Sequence, residues 1–324
     1  MMELFRYKKP IPLMEKAKVF FVISVVAVLA SWVLMFTKGF NYGIDFAGGT
    51  LVQVKYEGKA PLDRVREAIK SSKVFEGASV NYFGSDDEIV IKVRTSSKKL
   101  GTDIGDEARQ LLKDTGKFEI RRVDMVGPKV GSELREKGLM ALVLAIAGIL
   151  LYVSFRFEWR FAVASVMALV HDISIAMGAI VLFNVEVNLD ILAALLTILG
   201  YSLNDTIIVF DRIREGLTTV KSSKLADVID ESVTRTLSRT VLTSLTTFFV
   251  VLTLFAMGGE IIHGFSFTLL VGIIVGTYSS IFIASPLLMM MGFDVEKYRQ
   301  KLAEKKKREL EKEKMRAMYE QGTV

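Results

Sequence analysis

Apolar residues gather into six long runs, at 19–36, 139–155, 161–183, 189–210, 240–257 and 265–291, and charge is almost absent inside them. At 1.5 Å of rise per residue, about 20 helical residues cross a hydrocarbon core of roughly 30 Å, so the runs predict membrane-spanning helices. Buried helices of a large soluble protein would show polar faces or flanking strands, which these runs lack. Residues 37–138 break the pattern. Within them Leu51, Gln53 and Lys55 alternate with Val52 and Val54, which predicts a strand over Thr50–Glu57. Leu62, Val65, Ala68 and Ile69 then fall on one face of a helix predicted over Pro61–Lys73, with Pro61 near its start. Strands are predicted at Ala78–Phe83 and Glu88–Arg94 around the turn residues Gly84, Ser85, Asp86 and Asp87. A helix at Asp103–Thr115 and a strand at Lys117–Val126 complete the order β-α-β-β-α-β. That is the order of a ferredoxin-like split βαβ sandwich, a fold that names no function by itself.

Composition agrees with lipid. A mean hydropathy of +0.38 and 51% hydrophobic residues exceed what the cores of a water-soluble chain of this size require. Lysine and arginine then set the orientation, because they are retained on the cytoplasmic side of short loops. Arg6, Lys8, Lys9, Lys16 and Lys18 precede the first run; Arg156 and Arg160 lie between the second and third; Arg212, Arg214, Lys221, Lys224, Arg235 and Arg239 lie between the fourth and fifth. The tail adds Lys297, Arg299, Lys301 and several more, whereas Asn184–Asn188 and Gly258–Gly264 carry none. The expected organisation is a cytoplasmic N-terminus (1–18), a transmembrane helix (19–36), an extracytoplasmic domain with base segments (37–138), a five-helix transmembrane bundle (139–291) and a charged cytoplasmic tail (292–324). The first run exceeds the 7–15 residues of a signal-peptide core, so it is expected to stay as an anchor. The fold class expected is a polytopic α-helical membrane protein with an α+β ferredoxin-like extracytoplasmic domain.

Candidate chemistry is sparse. The chain has no cysteine and two histidines, His171 and His263, which excludes thiolate metal sites and the usual zinc centres. No GxxxxGK[ST] run is present, so no cofactor is expected and any work draws on a gradient or a partner. The net charge of +6 follows topology and does not signal nucleic acid. Ionisable groups at membrane depth are functional candidates. These are His171-Asp172 in the third run, Asn204-Asp205 in the fourth and Arg239 at the start of the fifth, where Thr236, Arg239, Thr243, Thr246 and Thr247 recur as a polar seam. By this orientation Asp205 and Arg239 both lie toward the cytoplasmic face. A carboxylate in an apolar setting holds its proton more tightly and a nearby guanidinium loosens it, so relative movement of the two makes a proton relay. A static ion pair between helices is the alternative, and for His171-Asp172 an interhelical hydrogen bond. Gly272, Gly276 and Ser280, four apart, predict a small-residue packing face. The alternating charges from Asp294 onward predict a solvated helix, with anionic lipid or a cytoplasmic partner as the sharper alternative.

Two glycine-bearing segments flank the α+β domain. Tyr42-Gly43-Ile44-Asp45-Phe46-Ala47-Gly48-Gly49-Thr50 leads into it, and Val126-Gly127-Pro128-Lys129-Val130-Gly131-Ser132-Glu133-Leu134 leads out, so both are expected at its base. These segments resemble the GxDFxGGT and VGPxVGxxL signatures of the SecF family, membrane partners of SecD in protein export. His171-Asp172, Leu203-Asn204-Asp205-Thr206 through Asp211-Arg212-Ile213-Arg214-Glu215, and Thr236-Leu237-Ser238-Arg239-Thr240 with Thr243-Ser244 resemble three further family segments, in the family's order. Gly216 and Arg235 depart from the family's usual asparagine and glutamine. The resemblance implies a non-enzymatic inner-membrane subunit whose partners are SecD, the SecYEG channel, unfolded preprotein and protons. It implies that Asp205 carries the proton, Arg239 modulates it and the outer domain moves. A small-molecule antiporter half of the resistance–nodulation–division type and a non-energetic scaffold of the Sec channel are the rival expectations.

Overall fold

A computed structural model describes residues 9–94 and 104–320. The predicted helix start at Asp103, and the charges of Arg6 and Lys8, lie outside them. Six helices among the described residues are long and apolar enough to cross a membrane. They are α1 (Ala17–Thr37), α5 (Pro128–Arg156), α6 (Trp159–Leu182), α7 (Leu189–Thr219), α8 (Leu225–Met257) and a last one that begins as α9 (Gly259–Ser279). The last helix passes through a π-helical turn, Ser280–Ala284, and ends as α10 (Ser285–Met290). Most of α6 and α9 is buried, whereas α1, α5 and α8 keep most of their apolar surface on the outside.

Several helices are longer than hydropathy predicts. The fifth run was expected at 240–257, yet α8 begins at Leu225 and has 33 residues; α7 continues past 210 to Thr219. The added turns are amphipathic, and their apolar stripes meet: Ile213 and Leu217 are buried with Val228, Ile229 and Val233. A hydropathy window stops at the lipid, but tertiary packing carries the helix onward. At the head of α5, Gly127 caps the helix and Pro128 sits at its first position, so the helix starts eleven residues before the apolar run.

Close backbone approach holds the bundle together. A Cβ at Gly178 of α6 would lie 2.2 Å from Ser31 Oγ of α1, and one at Gly272 of α9 would lie 2.2 Å from Ile198 of α7. A Cβ at Gly276 would come within 3.0 Å of Ser202, so the small-residue face of α9 lies on α7. Gly216 also packs closely: a Cβ there would meet Ser232 Oγ at 2.6 Å.

The α+β domain comprises β1 (Gly49–Tyr56), α3 (Leu62–Lys70), β2 (Ser79–Phe83), β3 (Ser85–Val93), α4 (Ile104–Leu111) and β4 (Phe118–Val126). The antiparallel sheet has the order β2-β3-β1-β4, the arrangement a split βαβ sandwich requires. Val52, Val54, Ile89, Ile91 and Val93 fill one face and bury Val65 and Ile69 of α3 and Ala108 of α4. The loop expected at Gly84–Asp87 is shorter than predicted. Gly84, at φ +79°, turns the chain alone, so Phe83 pairs with Ser85 and β3 begins three residues before Glu88.

The domain sits at the end of the bundle where α6 gives way to α7. The N-terminal segment lies at the other end, where the Met14 amide donates to Asp230 Oδ1 at 2.9 Å and the Ile11 amide to Thr234 Oγ1 at 3.0 Å. There also α11 (Val295–Glu320) departs, capped by Asp294, whose carboxyl the Lys297 and Glu296 amides hold below the usual carboxylate range. The exposed charges of α11 make it the solvated helix expected of the tail, but Arg299 ties it back. Its guanidinium donates to the carbonyls of Leu217 (2.6 Å), Val220 (2.5 Å) and Ser222 (3.0 Å), closing the C-terminal end of α7.

Candidate functional site

The two glycine-bearing segments interlock into one base. The first forms α2 (Ile44–Ala47), a single helical turn, ahead of β1; the second is the start of α5. Gly48 has φ +80°, and a Cβ on it would lie 2.9 Å from Pro128 Cα; one on Gly131 would lie 3.0 Å from both Gly48 N and Phe46 O. Gly49 runs so close to β3 that a Cβ would sit 2.4 Å from Val93 O. Glycine is needed at these positions because backbone meets backbone, which no rotamer change relieves. Phe46 is buried beneath.

This base grips the α6–α7 connection. Tyr42 forms a parallel bridge with Val187, with the Gly43 amide 2.8 Å from Val187 O and the Val187 amide 2.8 Å from Asn41 O. Asp45 Oδ2 accepts from the Leu189 amide at 3.1 Å, and Asn188 Oδ1 accepts from the Ile191 amide at 3.1 Å, so both carry donors that the first turn of α7 leaves open. Lys92 on β3 pairs with Glu186 at 2.7 Å. A cleft of about 680 Å³ opens between the sheet and these connections, with Asp45, Lys92, Glu186, Asp190 and Glu260 on its walls.

Deeper in the bundle the two carboxylates have different surroundings. Asp172 is fully buried and accepts three bonds: His171 Nδ1 at 2.8 Å on Oδ1, and Ser202 of α7 at 2.5 Å and Ser279 of α9 at 2.8 Å on Oδ2. The His171 ring stacks on Tyr278, whose hydroxyl lies 2.9 Å from Ser24 Oγ of α1. The interhelical hydrogen bond expected as the alternative for this pair is what the geometry contains, joining α6, α7 and α9. Asp172→Ala is therefore expected to leave the Ser202 hydroxyl and His171 Nδ1 without their partner, Ser279 keeping only its 3.2 Å bond to the Gly276 carbonyl, and to cost about 1–3 kcal/mol. The thermal midpoint in detergent should fall several degrees further for it than for Asp205→Ala; equal losses would contradict the assignment.

Asp205 is 2 % exposed and has one partner, Ser244 Oγ of α8 at 3.3 Å. Arg239 lies within electrostatic reach of it, but among the described residues the two form no ion pair. The polar seam on α8 is rotated from its predicted face. Thr236, Thr240 and Ser244 are the buried hydroxyls, while Arg239, Thr243 and Thr246 are exposed. Thr243 bonds to its own helix at the carbonyls of Arg239 and Thr240, both at 3.0 Å, and the bond to Asp205 comes from Ser244 instead. Asn204 is exposed, about 100° around α7 from its buried neighbour. Ser244 was quoted in a motif but not singled out, and Thr277 of α9, 2.7 Å from Ser244 Oγ, was missed. A hydroxyl in a Ser- and Thr-rich span carries no signal until its helix is rotated into place.

Comparison with known proteins gives this arrangement a family. The model of the C-terminal region of the SecD/SecF protein export membrane proteins matches residues 107–294, and the SecD/SecF GG motif matches residues 33–60. The protein translocase subunit SecF of Helicobacter pylori is 49% identical over 323 residues, covering 100% of both chains. That of Vibrio alginolyticus is 47% identical over 298 residues, 91% of this chain and 94% of its own. The crystal structure of SecDF, a translocon-associated membrane protein of Thermus thermophilus, superposes with a TM-score of 0.77 at 34% identity. It covers 89% of this chain, which in turn spans only 39% of the SecDF chain. With full-length kinship, six apolar helices and the interlocked glycine base, this multi-pass membrane protein belongs to the SecF family of protein translocase subunits.

Proposed function

We propose that the chain works with SecD to couple the proton gradient to preprotein movement through the SecYEG channel. The observation that carries this reading is Asp205, a buried carboxylate within the apolar run of α7, held by a single long hydrogen bond and not neutralised by an ion pair. A charge so poorly compensated in an apolar setting is readily exchanged for a proton. One charge falling through 100 mV releases roughly 2.3 kcal/mol, enough to bias a domain that is held by a few polar contacts.

Orientation follows from the charges. The end bearing Lys16, Arg156, Arg212 and α11 is cytoplasmic, and the α+β domain is extracytoplasmic, where it could meet emerging preprotein. Partner contact has a local argument as well: Arg239, Thr243 and Thr246 lie on an exposed face of α8 at or near membrane depth, where a guanidinium against lipid is costly. SecD is the occupant of that face in this reading. The scaffold reading leaves Asp205 without a role, and an antiporter half would need a ligand cleft at membrane depth near it.

The reading is tested in inverted membrane vesicles depleted of the chain. The gradient-dependent part of preprotein translocation should vanish and return when the chain is restored, with the ATP-driven part intact and SecD co-isolating. Translocation that responds equally to the gradient without the chain would overturn the proposal.

A further inference from the structure

We propose that Thr277 on α9 is a relay residue for Asp205, acting through a hydroxyl chain whose direction reverses when the carboxylate takes up a proton. This rests on the reading of Asp205 as the proton carrier. Ser244 Oγ lies 3.3 Å from Asp205 Oδ2, and Thr277 Oγ1 lies 2.7 Å from Ser244 Oγ. The same Thr277 oxygen is 2.7 Å from the carbonyl of Ile273, one turn back on α9. A hydroxyl has one hydrogen, so Thr277 donates either to Ser244 or to Ile273. The chain therefore has two fully bonded arrangements.

With Asp205 ionised, Thr277 donates to Ser244 and Ser244 donates to the carboxylate. A hydronium ion reaching Thr277 Oγ1 gives it a proton; the hydrogen of Thr277 passes to Ser244 Oγ, and that of Ser244 passes to Asp205 Oδ2. Three O–H bonds break, in the hydronium, Thr277 and Ser244. Three form, on Thr277, Ser244 and Asp205. One water is released and one carboxylate is neutralised. In the product the Asp205 hydroxyl donates to Ser244, Ser244 to Thr277, and the new hydrogen of Thr277 to the Ile273 carbonyl. No donor is stranded in either state, so reversal avoids the loss of about 1–3 kcal/mol that an unpaired buried polar group incurs.

Two further observations favour this chain over a fortuitous contact. Asp205 and Ser244 are buried while Thr277 is only half-buried, which gives the chain one end toward the bundle surface and one closed end. Gly272 and Gly276 let α9 approach α7 so closely that the Thr277 hydroxyl spans to α8 beside Asp205. The charged and titratable groups near Asp205 are Arg239 from α8, and from α6 the His171–Asp172 pair, which reaches α7 at Ser202, one turn from Asp205. From α9 the approach is through hydroxyls, with no charged side chain between His263 and Ser279.

The test uses vesicles carrying the whole translocase with Thr277→Val, which keeps the shape and removes the hydroxyl, Thr277→Ser, which restores it, and Asp205→Asn as reference. Thr277→Val is expected to slow gradient-driven translocation about tenfold or more. It should leave ATP-driven translocation and the amount of SecD-bound protein unchanged, and Thr277→Ser should recover most of the rate. In infrared difference spectra across a pH titration, the protonated-carboxyl band lost in Asp205→Asn should shift in Thr277→Val and return in Thr277→Ser. Normal gradient-driven translocation by Thr277→Val, or failure of Thr277→Ser to recover, overturns the relay. If Asp205→Asn is itself fully active, the reading of Asp205 falls first, and the two failures are thereby distinguished.

Discussion

Asp205→Asn should fold, insert and bind SecD as the parent does, yet lose the whole gradient-dependent component of preprotein export. Asparagine keeps the shape and can still bond Ser244 from its carbonyl oxygen, so the α7–α8 contact at 3.3 Å survives. What disappears is the capacity to alternate between charged and neutral. Since the parent carboxylate has one weak partner, its removal should cost little stability, unlike loss of Asp172 with its three donors. The rate of translocation at a full gradient should drop about a hundredfold, to the level of the uncoupled membrane. Dissipating the gradient should then make no further difference to the variant. Export by Asp205→Asn that still responds to an uncoupler would remove this residue from the coupling path.

The second large effect is mechanical. Lys92 of the sheet and Glu186 of the α6–α7 connection are paired at 2.7 Å across the cleft, each about 30 % exposed, so both are accessible to reagent once converted to cysteine. The natural chain has no cysteine, which makes Lys92→Cys with Glu186→Cys the only thiol pair. A short bis-methanethiosulfonate should bridge them, because the parent side chains already meet. The bridged protein is expected to stop gradient-driven export and to recover on reduction with dithiothreitol. Either single variant treated alike should retain export, since with one thiol nothing ties the domain to the bundle. Full export by the bridged protein would show that this domain need not move against the bundle.

Hydrophobic periodicity made most of the fold legible. Six apolar runs and the 2-residue alternation at Leu51–Lys55 led directly to the helices and to β1, whereas the segment at Gly127-Pro128, expected only as a base segment, is the head of a helix that begins before its apolar run. Helix ends were less legible, because amphipathic turns such as those bearing Val228 and Val233 are held by tertiary contact and not by lipid. For the site, Asp205 stood out as a charge in an apolar run. Its partners did not. A helix advances 100° per residue, so choosing Thr243 over Ser244 turned the seam of α8 outward, and no pattern within that Thr-rich run fixes the phase. The role of Asp45 was equally hidden, because its bond to the Leu189 amide joins residues 144 apart.

One consequence concerns α7, whose 31 residues make a rod of roughly 46 Å. Asp45, from the α+β domain's base, holds its first turn, and Arg299, from the tail helix, holds its last carbonyls. A hydrogen-bonded helix resists stretching and compression, so a tug at either handle reaches the middle as torsion or axial slip, and Asp205 is in the middle. In the proposed coupling, protonation there and displacement of the domain would be joined through this one crankshaft.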